Sequence, residues 1–488
     1  GGFIYVSDDY QNIYKYELSE LFPGWSEPIN ISNMEGFDLQ PDIAIDNNNT
    51  IHCVWSHTIE TNYRKIYYIK SEDDGETWST PLDISQNSQY ACMEPHIAVD
   101  SEDNLYVTYD YNIGNTYQTQ VHFRKYDGES WSEPTIISED YPGSDYNIIV
   151  IDNADRIYVF FYWNGYYYCY YENNEWSEIY NPYPNNEDRN IGFLGIVVDS
   201  NNDLHLGGSY IDYSGDTTKV YGIYVTYNKS LDEWSDIQYI TSEYQTSVYG
   251  IDLDNEENPH VVLRWHTVYE IPHQEATKYA YFDGENWSEP EIIVEVYGLL
   301  LNQTIEIDEN NDKHIIYTKS NQNGSKLFYH YFNISWEGII IDECLNAIFG
   351  PKILNKNRKL YLVYAKSDSP GTGEIYFRKK DLSGNNISEN YINYIKINHF
   401  LSQNYPTHFN PKTHIDFSLN KCGYTTLKIL NIKGQLIKTL VSEYKKAGDY
   451  SILWDGKNSD GKDLKSGIYL YRLQIENHCI TRSFNLLK

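Results

Sequence analysis

Two features recur along this chain in a fixed phase, and together they leave few folds open. A tryptophan closes each of seven segments, at Trp25, Trp78, Trp131, Trp176, Trp234, Trp287 and Trp336, with spacings of 53, 53, 45, 58, 53 and 49 residues. The text around several of them repeats: GWSEPINIS, TWSTPLDIS, SWSEPTIIS, NWSEPEIIV. Between tryptophans comes an apolar run ending in Asp, a polar turn and a second run, as in IAIDNNNTIHCVW, IAVDSEDNLYVTY and IVIDNADRIYVFF. A seventh copy, KILNKNRKLYLVY, has Asn355 in place of Asp. Six residues after that position stands His52, Tyr106, Tyr158, His205, His260, His314 or Tyr361. A catalytic group is needed once. A position filled in every copy is therefore assigned to packing and a hydrogen bond.

Short alternating stretches such as RKIYYIK and TQVHFRKY read as half-buried strands, and helical periodicity is hard to find. Each repeat holds four strands, A to D: in the second these are PHIAVD, LYVTYDY, QVHFRKY and WSEPTIIS. Seven four-stranded units of this length predict an all-β chain, a seven-bladed β-propeller over residues 1–382. The last unit lacks a clear D strand, and WSEPINIS at residues 25–32 is placed to complete it and close the ring. FIYVSDDYQNIYKYEL offers one or two strands more than seven blades require, which leaves an incomplete eighth blade open.

One stretch, SEDDGETWS at residues 71–79, concentrates four acids, a glycine and a tryptophan between strands C and D. Ser71, Asp73, Gly75, Thr77 and Trp78 fit S-x-D-x-G-x-T-W and so resemble the Asp-box of sialidase-type (BNR) propellers. Partial copies are Asp127, Gly128 and Trp131, and Asp283, Gly284 and Trp287. The motif is read as structural. Glycine takes a positive φ, Asp and Ser bond turn amides, and Trp packs between blades. A calcium site would need more converging oxygens, and no metal or cofactor is expected.

In a four-stranded meander the A–B and C–D turns share one end, and the B–C and D–A connections share the other. The A–B turns are nearly constant, whereas the B–C connections vary from WNGY to WHTVYEIPHQEATK. Variable loops on a regular scaffold place function on the B–C/D–A face. The sialidase resemblance implies three arginines on a substrate carboxylate, a Tyr/Glu nucleophile pair and an Asp acid/base. No F/Y-R-I-P motif is present, and Arg64, Arg189 and Arg264 are the only front-face set. The expectation is therefore a binder of glycans or other extracellular ligands through Tyr63, Arg64, Trp163, Tyr213, Trp265 and Tyr269, with Tyr111, Tyr117 and Tyr210 nearby. The alternative is a glycoside hydrolase or polysaccharide lyase, with Glu94, His96, Arg264 and His266 as catalytic candidates and His57, Glu270 and His273 on the same loops. A third reading is a protein-interaction propeller.

Residues 383–400 read as an Asn/Ser-rich linker. From 401 on, LSQNYPTHFNPKTHIDFSLN, LKILNIKGQLIKTL and AGDYSILWDGKNSDGKDLKSGIYLYRL resemble the type A C-terminal sorting domain of the type IX secretion system, with Thr407-His408 where that family has Asn-Pro. Read from its residues, the segment is a small Ig-like β-sandwich. The resemblance implies recognition of residues 401–488 by the secretion translocon and sorting machinery, and a secreted or cell-surface protein of a Gram-negative bacterium. Net charge is −33. Residues 401–488 carry 13 Lys/Arg and 7 Asp/Glu, so the remainder carries −39. Such a field repels nucleic acid and anionic membranes, and no nucleic-acid partner is expected. No apolar run reaches the roughly 18 residues of a membrane helix. The opening GGFIYVSDD has no basic or apolar signal region. The six cysteines have no zinc spacing, and Cys422 and Cys479 share one domain and are candidates to pair.

Overall fold

The computed structural model describes residues 3–7, 13–17, 24–60, 63–85, 90–114, 118–183, 191–215, 217–267, 274–297, 299–321, 324–332, 336–369, 371–383, 400–401, 408–409, 412–419, 423–431, 435–446, 448–475 and 478–486. All regular structure in them is β. The chain divides into two compact units, 1–293 with 297–384, and 385–488 with 294–296.

Seven antiparallel meanders follow the predicted repeat. Sheet 1 runs Phe37–Ile45, Ile51–Glu60, Tyr63–Ser71 and Leu82–Asp83. Sheet 2 runs Cys92–Val99, Leu105–Asn112, Thr119–Tyr126 and Thr135–Ile136. Sheet 3 runs Asp145–Ile151, Ile157–Tyr162, Tyr166–Glu172 and Glu175–Trp176. Sheet 4 runs Ile191–Val198, Leu204–Asp212 and Lys219–Asn228, with Glu233–Trp234 and Gln238–Tyr239 both on its outer strand. Sheet 5 runs Thr246–Leu253, Pro259–His266, Gln274–Tyr281 and Glu291–Tyr297. Sheet 6 runs Leu299–Ile307, Lys313–Asn321, Gly324–Phe332 and Trp336–Cys344. Sheet 7 takes Ala347–Lys356, Lys359–Ser367 and Glu374–Asp381, and its fourth strand is Ile29–Asn30, from the start of the chain. Phe3–Ser7 and Ile13–Glu17 pair with each other as a separate hairpin.

Each strand A lies against the strands A of the sheets before and after it, and that of sheet 7 lies against that of sheet 1, so the cycle closes. The apolar core is divided among the sheet interfaces. Trp55, Val363 and Phe377 share one cluster between sheets 7 and 1, and Phe160, Phe193 and Leu206 share another between sheets 3 and 4.

The repeated tryptophans tie sheet to sheet. Each described ring meets an aromatic of strand C in the preceding sheet: Trp78 on Phe377, Trp131 on Tyr68, Trp176 on Phe123, Trp234 on Tyr168, Trp287 on Tyr224, and Trp25 on Tyr329. Centroids are 4.8 to 5.4 Å apart. The side chain of Trp336 lies outside the described residues.

The A–B turns are closed by their Asp. Asp100, for example, accepts the N–H groups of Glu102 at 3.0 Å and Asn104 at 2.8 Å. The residue six positions on faces the same carboxylate. Tyr106 donates to Asp100 at 2.8 Å, and His260 Nε2 lies 3.2 Å from Asp254. His52, His205, His260 and His314 each set Nδ1 on a strand C tyrosine hydroxyl, at Tyr68, Tyr224, Tyr279 and Tyr329. Sheet 7 departs from the repeat as read in the sequence. Asn355 pairs with Leu360 inside the ladder, and Lys356 pairs with Lys359 across a two-residue turn, Asn357-Arg358, with both φ positive. Such a turn needs no Asp cap. Tyr361 donates instead to Asp74 of the SEDDGETWS turn, at 2.8 Å.

In the second unit, one sheet pairs Phe400–Leu401, Thr413–Leu419 and Gly448–Trp454. The other pairs His408–Phe409, His478–Leu486, Gly467–Ile475, Gly423–Asn431 and Leu436–Lys445. Both pack on Ile415, Leu427, Trp454 and Tyr471. Cys53, Cys169 and Cys344 are free thiols, and the proposed Cys422–Cys479 pair lies outside the described side chains.

Candidate functional site

SEDDGETWS is a turn closed by its own side chains. Ser71 Oγ donates to Asp73 and accepts the Gly75 N–H, both at 2.9 Å. Asp73 accepts the Thr77 N–H at 2.8 Å and its hydroxyl at 2.5 Å. These bonds hold the exposed Asp73 carboxyl down at about 2. Trp78 Nε1 donates to Gly75 O at 3.1 Å. Asp74 turns outward to Lys359 and Lys379 of sheet 7. Every polar group in the motif is thus spent on the fold.

At the opposite end, strand A carries the same irregularity in all seven sheets. The ladder slips by a bulge, between residues 39 and 42, 93 and 96, 145 and 148, 193 and 195, 248 and 250, 301 and 304, and 349 and 352. Gln40, Glu94, Tyr146 and Asn302 sit on these bulges at φ of 50 to 56°. Bulges re-aim side chains, here beside the ring axis. The first paired residue after the bulge is Asp42, His96, Ile148, Gly195, Gly250, Thr304 and Lys352 in sheets 1 to 7. Sheets 7, 1 and 2 are neighbours, so Lys352, Asp42 and His96 stand side by side.

There the candidates Glu94, His96 and Arg64 come together. Asp42 Oδ2 lies 3.2 Å from His96 Nδ1 and accepts the Ile97 N–H at 3.1 Å. Burial opposes ionisation of Asp42, but Lys352, His96 and that N–H outweigh it and hold the carboxyl below its ordinary value. Glu94 exchanges two 3.2 Å hydrogen bonds with the Gln40 amide, through its carboxylate and its own N–H. Burial pushes the Glu94 carboxyl up, and His96, Arg64 and Gln40 offset part of the rise. Arg64 is half-buried, and its guanidinium makes no hydrogen bond or ion pair among the described residues. Burial lowers its pKa against the pull of Glu94.

Sheets 2 and 3 add two carboxyls that the sequence reading missed. Asp110 is 2% exposed, and burial followed by Glu94 raises its carboxyl well above the ordinary value. Asp145 is raised to about 6 by the same two causes. Tyr146, 56% exposed, stands at the lip. Asp42, Asp110, Asp145 and Lys352 were missed because only the shared bulge aligns strands A by what faces the axis. A signal was present: they, Glu94 and His96 fall at the starts of A strands or the end of a B strand, where the front face must be.

The remaining candidates lie elsewhere or are engaged. Arg264 is bidentate to buried Glu275 at 2.7 and 3.1 Å and donates to Tyr249 at 3.2 Å, so its guanidinium is committed to sheet 5. His266 is half-buried on the same strand, its N–H on Gln245 O. Trp265 lies under the Lys278 ammonium, 5.0 Å from its ring centre. Trp163 donates to Pro142 O at 3.0 Å and packs on Tyr141, covering a D–A connection. His57 is 4% exposed and bonded to buried Asp38 at 2.6 Å. Tyr63 packs with Lys65, and Tyr213 is 63% exposed. Tyr269, Tyr117, Arg189, Glu270 and His273 lie outside the described residues. A second carboxyl pair, Asp252 and Glu306, caps backbone N–H groups of the next sheet at Ile307 and Asn355. Burial raises both. Among the described residues no three His, Cys, Asp or Glu converge as metal ligands would.

Residues 412–478 match the FlgD Ig-like domain family. No curated protein matches the chain. Among solved structures, a protein of unknown function from Dyadobacter fermentans superposes with a TM-score of 0.50 at 11% identity, over 74% of this chain and all of that one. A polysaccharide lyase of family PL25, an ulvan lyase, superposes at 0.46 and 12% identity, over 73% of this chain and 93% of that one. PorZ, a surface component of the type IX secretion system of Porphyromonas gingivalis, superposes at 0.45 and 12% identity, over 100% of this chain and 68% of that one. At such identities the Dyadobacter likeness is one of fold, and function is argued from the site.

Proposed function

We propose that the closed cycle of seven sheets is a seven-bladed, sialidase-like β-propeller that binds an extracellular glycan over Glu94, Arg64 and Tyr146. The reading rests on one observation: a half-buried guanidinium with no hydrogen bond or ion pair among the described residues, beside a raised carboxyl and with an exposed aromatic nearby. Acids, amides and Arg bind sugar hydroxyls, and a tyrosine face packs on the ring. Residues 401–488 are proposed as the type IX sorting domain, which would place the protein in the medium or on the cell surface. The FlgD Ig-like match supports its sandwich fold.

A second reading, a glycosidase or lyase on the same face, is favoured by the His96–Asp42 contact and by the Asp145 carboxyl near 6. Such groups exchange protons near neutral pH. The test is a glycan array on the full chain, with retained glycans analysed by mass spectrometry. Intact glycans, held at least roughly tenfold less well after Arg64→Ala or Tyr146→Ala, are the expected result. Shortened or unsaturated products would replace binding with catalysis. An array without retention would remove both glycan readings in favour of a protein partner.

A further inference from the structure

We propose that Glu94, Asp110 and Asp145 act as one proton-sharing latch, which fastens the Tyr146 lip of the front site in acid and releases it as pH rises. This deepens the front-face reading by giving that site a regulator.

The latch is built across two sheets. Asn147, 1% exposed, donates from one amide nitrogen to Asp110 Oδ1 at 2.8 Å and to the Glu94 backbone oxygen at 3.0 Å. These contacts bind the start of strand A in sheet 3 to sheet 2, and they hold Tyr146 at φ +52°, a region costly for a bulky residue. Asn147 Oδ1 is buried without a partner. An acceptor in that position calls for a donor, which a protonated carboxyl or a ligand hydroxyl can supply.

The surrounding charges fix the direction. Glu94 faces Arg64 from sheet 1, His96 on its own strand, and the carboxyls of Asp110 and Asp145. Tyr146 and Tyr166 of sheet 3 face Asp145, and both stay neutral. The nearby cationic groups, Arg64 and His96, act on Glu94, whereas the charge acting on Asp145 is that of Glu94 itself. Each further ionisation therefore adds repulsion to burial. All three carboxyls sit above their ordinary values in the fastened state, so that state binds more protons than the released one. By linkage it is favoured at low pH and is lost as pH rises through the Asp145 value of about 6.

Hydrogen exchange on the full chain reads this without any glycan. Protection of residues 145–151, corrected for the intrinsic pH dependence of exchange, is expected to fall roughly tenfold between about pH 5 and about pH 8. Residues 157–162 of the same sheet should hold steady. In Glu94→Gln, and separately in Asp145→Asn, the fall should shrink to less than about threefold. Two variants are used so that loss of folding in one, seen in its thermal melt, leaves the other to decide. Flat protection in the unmodified chain, or an undiminished fall in the folded variants, would overturn the latch. Because no ligand is present, that outcome leaves the glycan reading standing, and a blank array leaves the latch standing.

Discussion

Gly75 has a conformation and a neighbour that no other residue type accommodates. Its φ is +83°, and a Cβ there would lie 2.2 Å from the Phe377 ring of the adjoining sheet. Gly128 and Gly284 hold the same place in the partial copies, at φ +91° and +94°, with nothing within 4 Å. Gly75→Ala should therefore cost roughly 2–4 kcal/mol, and Gly128→Ala or Gly284→Ala about 1 kcal/mol, in urea unfolding of the full chain. Equal costs at the three sites would mean that the turn does not seat against sheet 7. The SEDDGETWS turn was legible because its bonds join residues two to four apart. The engagement of Arg264 was not legible, for the opposite reason. Its carboxylate partner, Glu275, is brought to it by strand pairing that no local pattern announces.

At the scale of the strand, the repeated Asp, His and Tyr form a chain that the Trp of the next repeat covers. In sheet 4 this runs Asp199, His205, Tyr224, Trp287. Burial depresses His52, His205 and His260, although their Asp neighbours pull the other way. An unfolded chain binds these protons near the ordinary value of about 6.5, so the unfolded state holds more protons as pH falls. The stability they contribute is present above that value and is lost as pH drops through the depressed folded values. Melting temperature should fall on acidification below about pH 6.5, and His205→Gln with His260→Gln should flatten the slope. An unchanged slope would place the acid sensitivity elsewhere. The six-residue offset made this chain legible, since period-two alternation sends both ends of the offset to one side. The bulges were not legible. A bulge breaks the alternation, and its occupants share only a backbone angle, being Gln40, Glu94, Tyr146 and Asn302. Sequence pattern thus located the frame of the ring and named Glu94 and His96 among its candidates. It missed Asp42, Asp110, Asp145 and Lys352, whose meaning comes from the slip in register.

For the ring as a whole, the decisive contact is the one between its two ends. Ser26 and Ile31 donate backbone N–H groups to Lys379 and Ile375 at 2.8 Å, and Arg378 donates to Ser26 O at 3.1 Å. Trp25, 3% exposed, reaches past sheet 7 to Tyr329 of sheet 6. The A–B turns repeat the closure, through Asn357 of sheet 7 on Asn49 of sheet 1 at 2.6 Å. Were the sheets an open array, losing an end strand would cost only that strand's own contacts. In a closed ring it also leaves the faces of sheets 7 and 1 free to separate, with Trp55, Val363 and Phe377 between them. Trp25→Ala alone should cost about 3–5 kcal/mol. A chain lacking residues 1–33 should lose its single cooperative unfolding transition, because that loss approaches the roughly 5–15 kcal/mol that a folded domain holds in total. Adding a peptide of residues 24–33 in trans should restore the transition in a concentration-dependent way. If the shortened chain instead unfolds in one transition, less stable by no more than the Trp25→Ala cost, the sheets behave as a linear array. The closure would then be a contact of the folded state without cooperative weight.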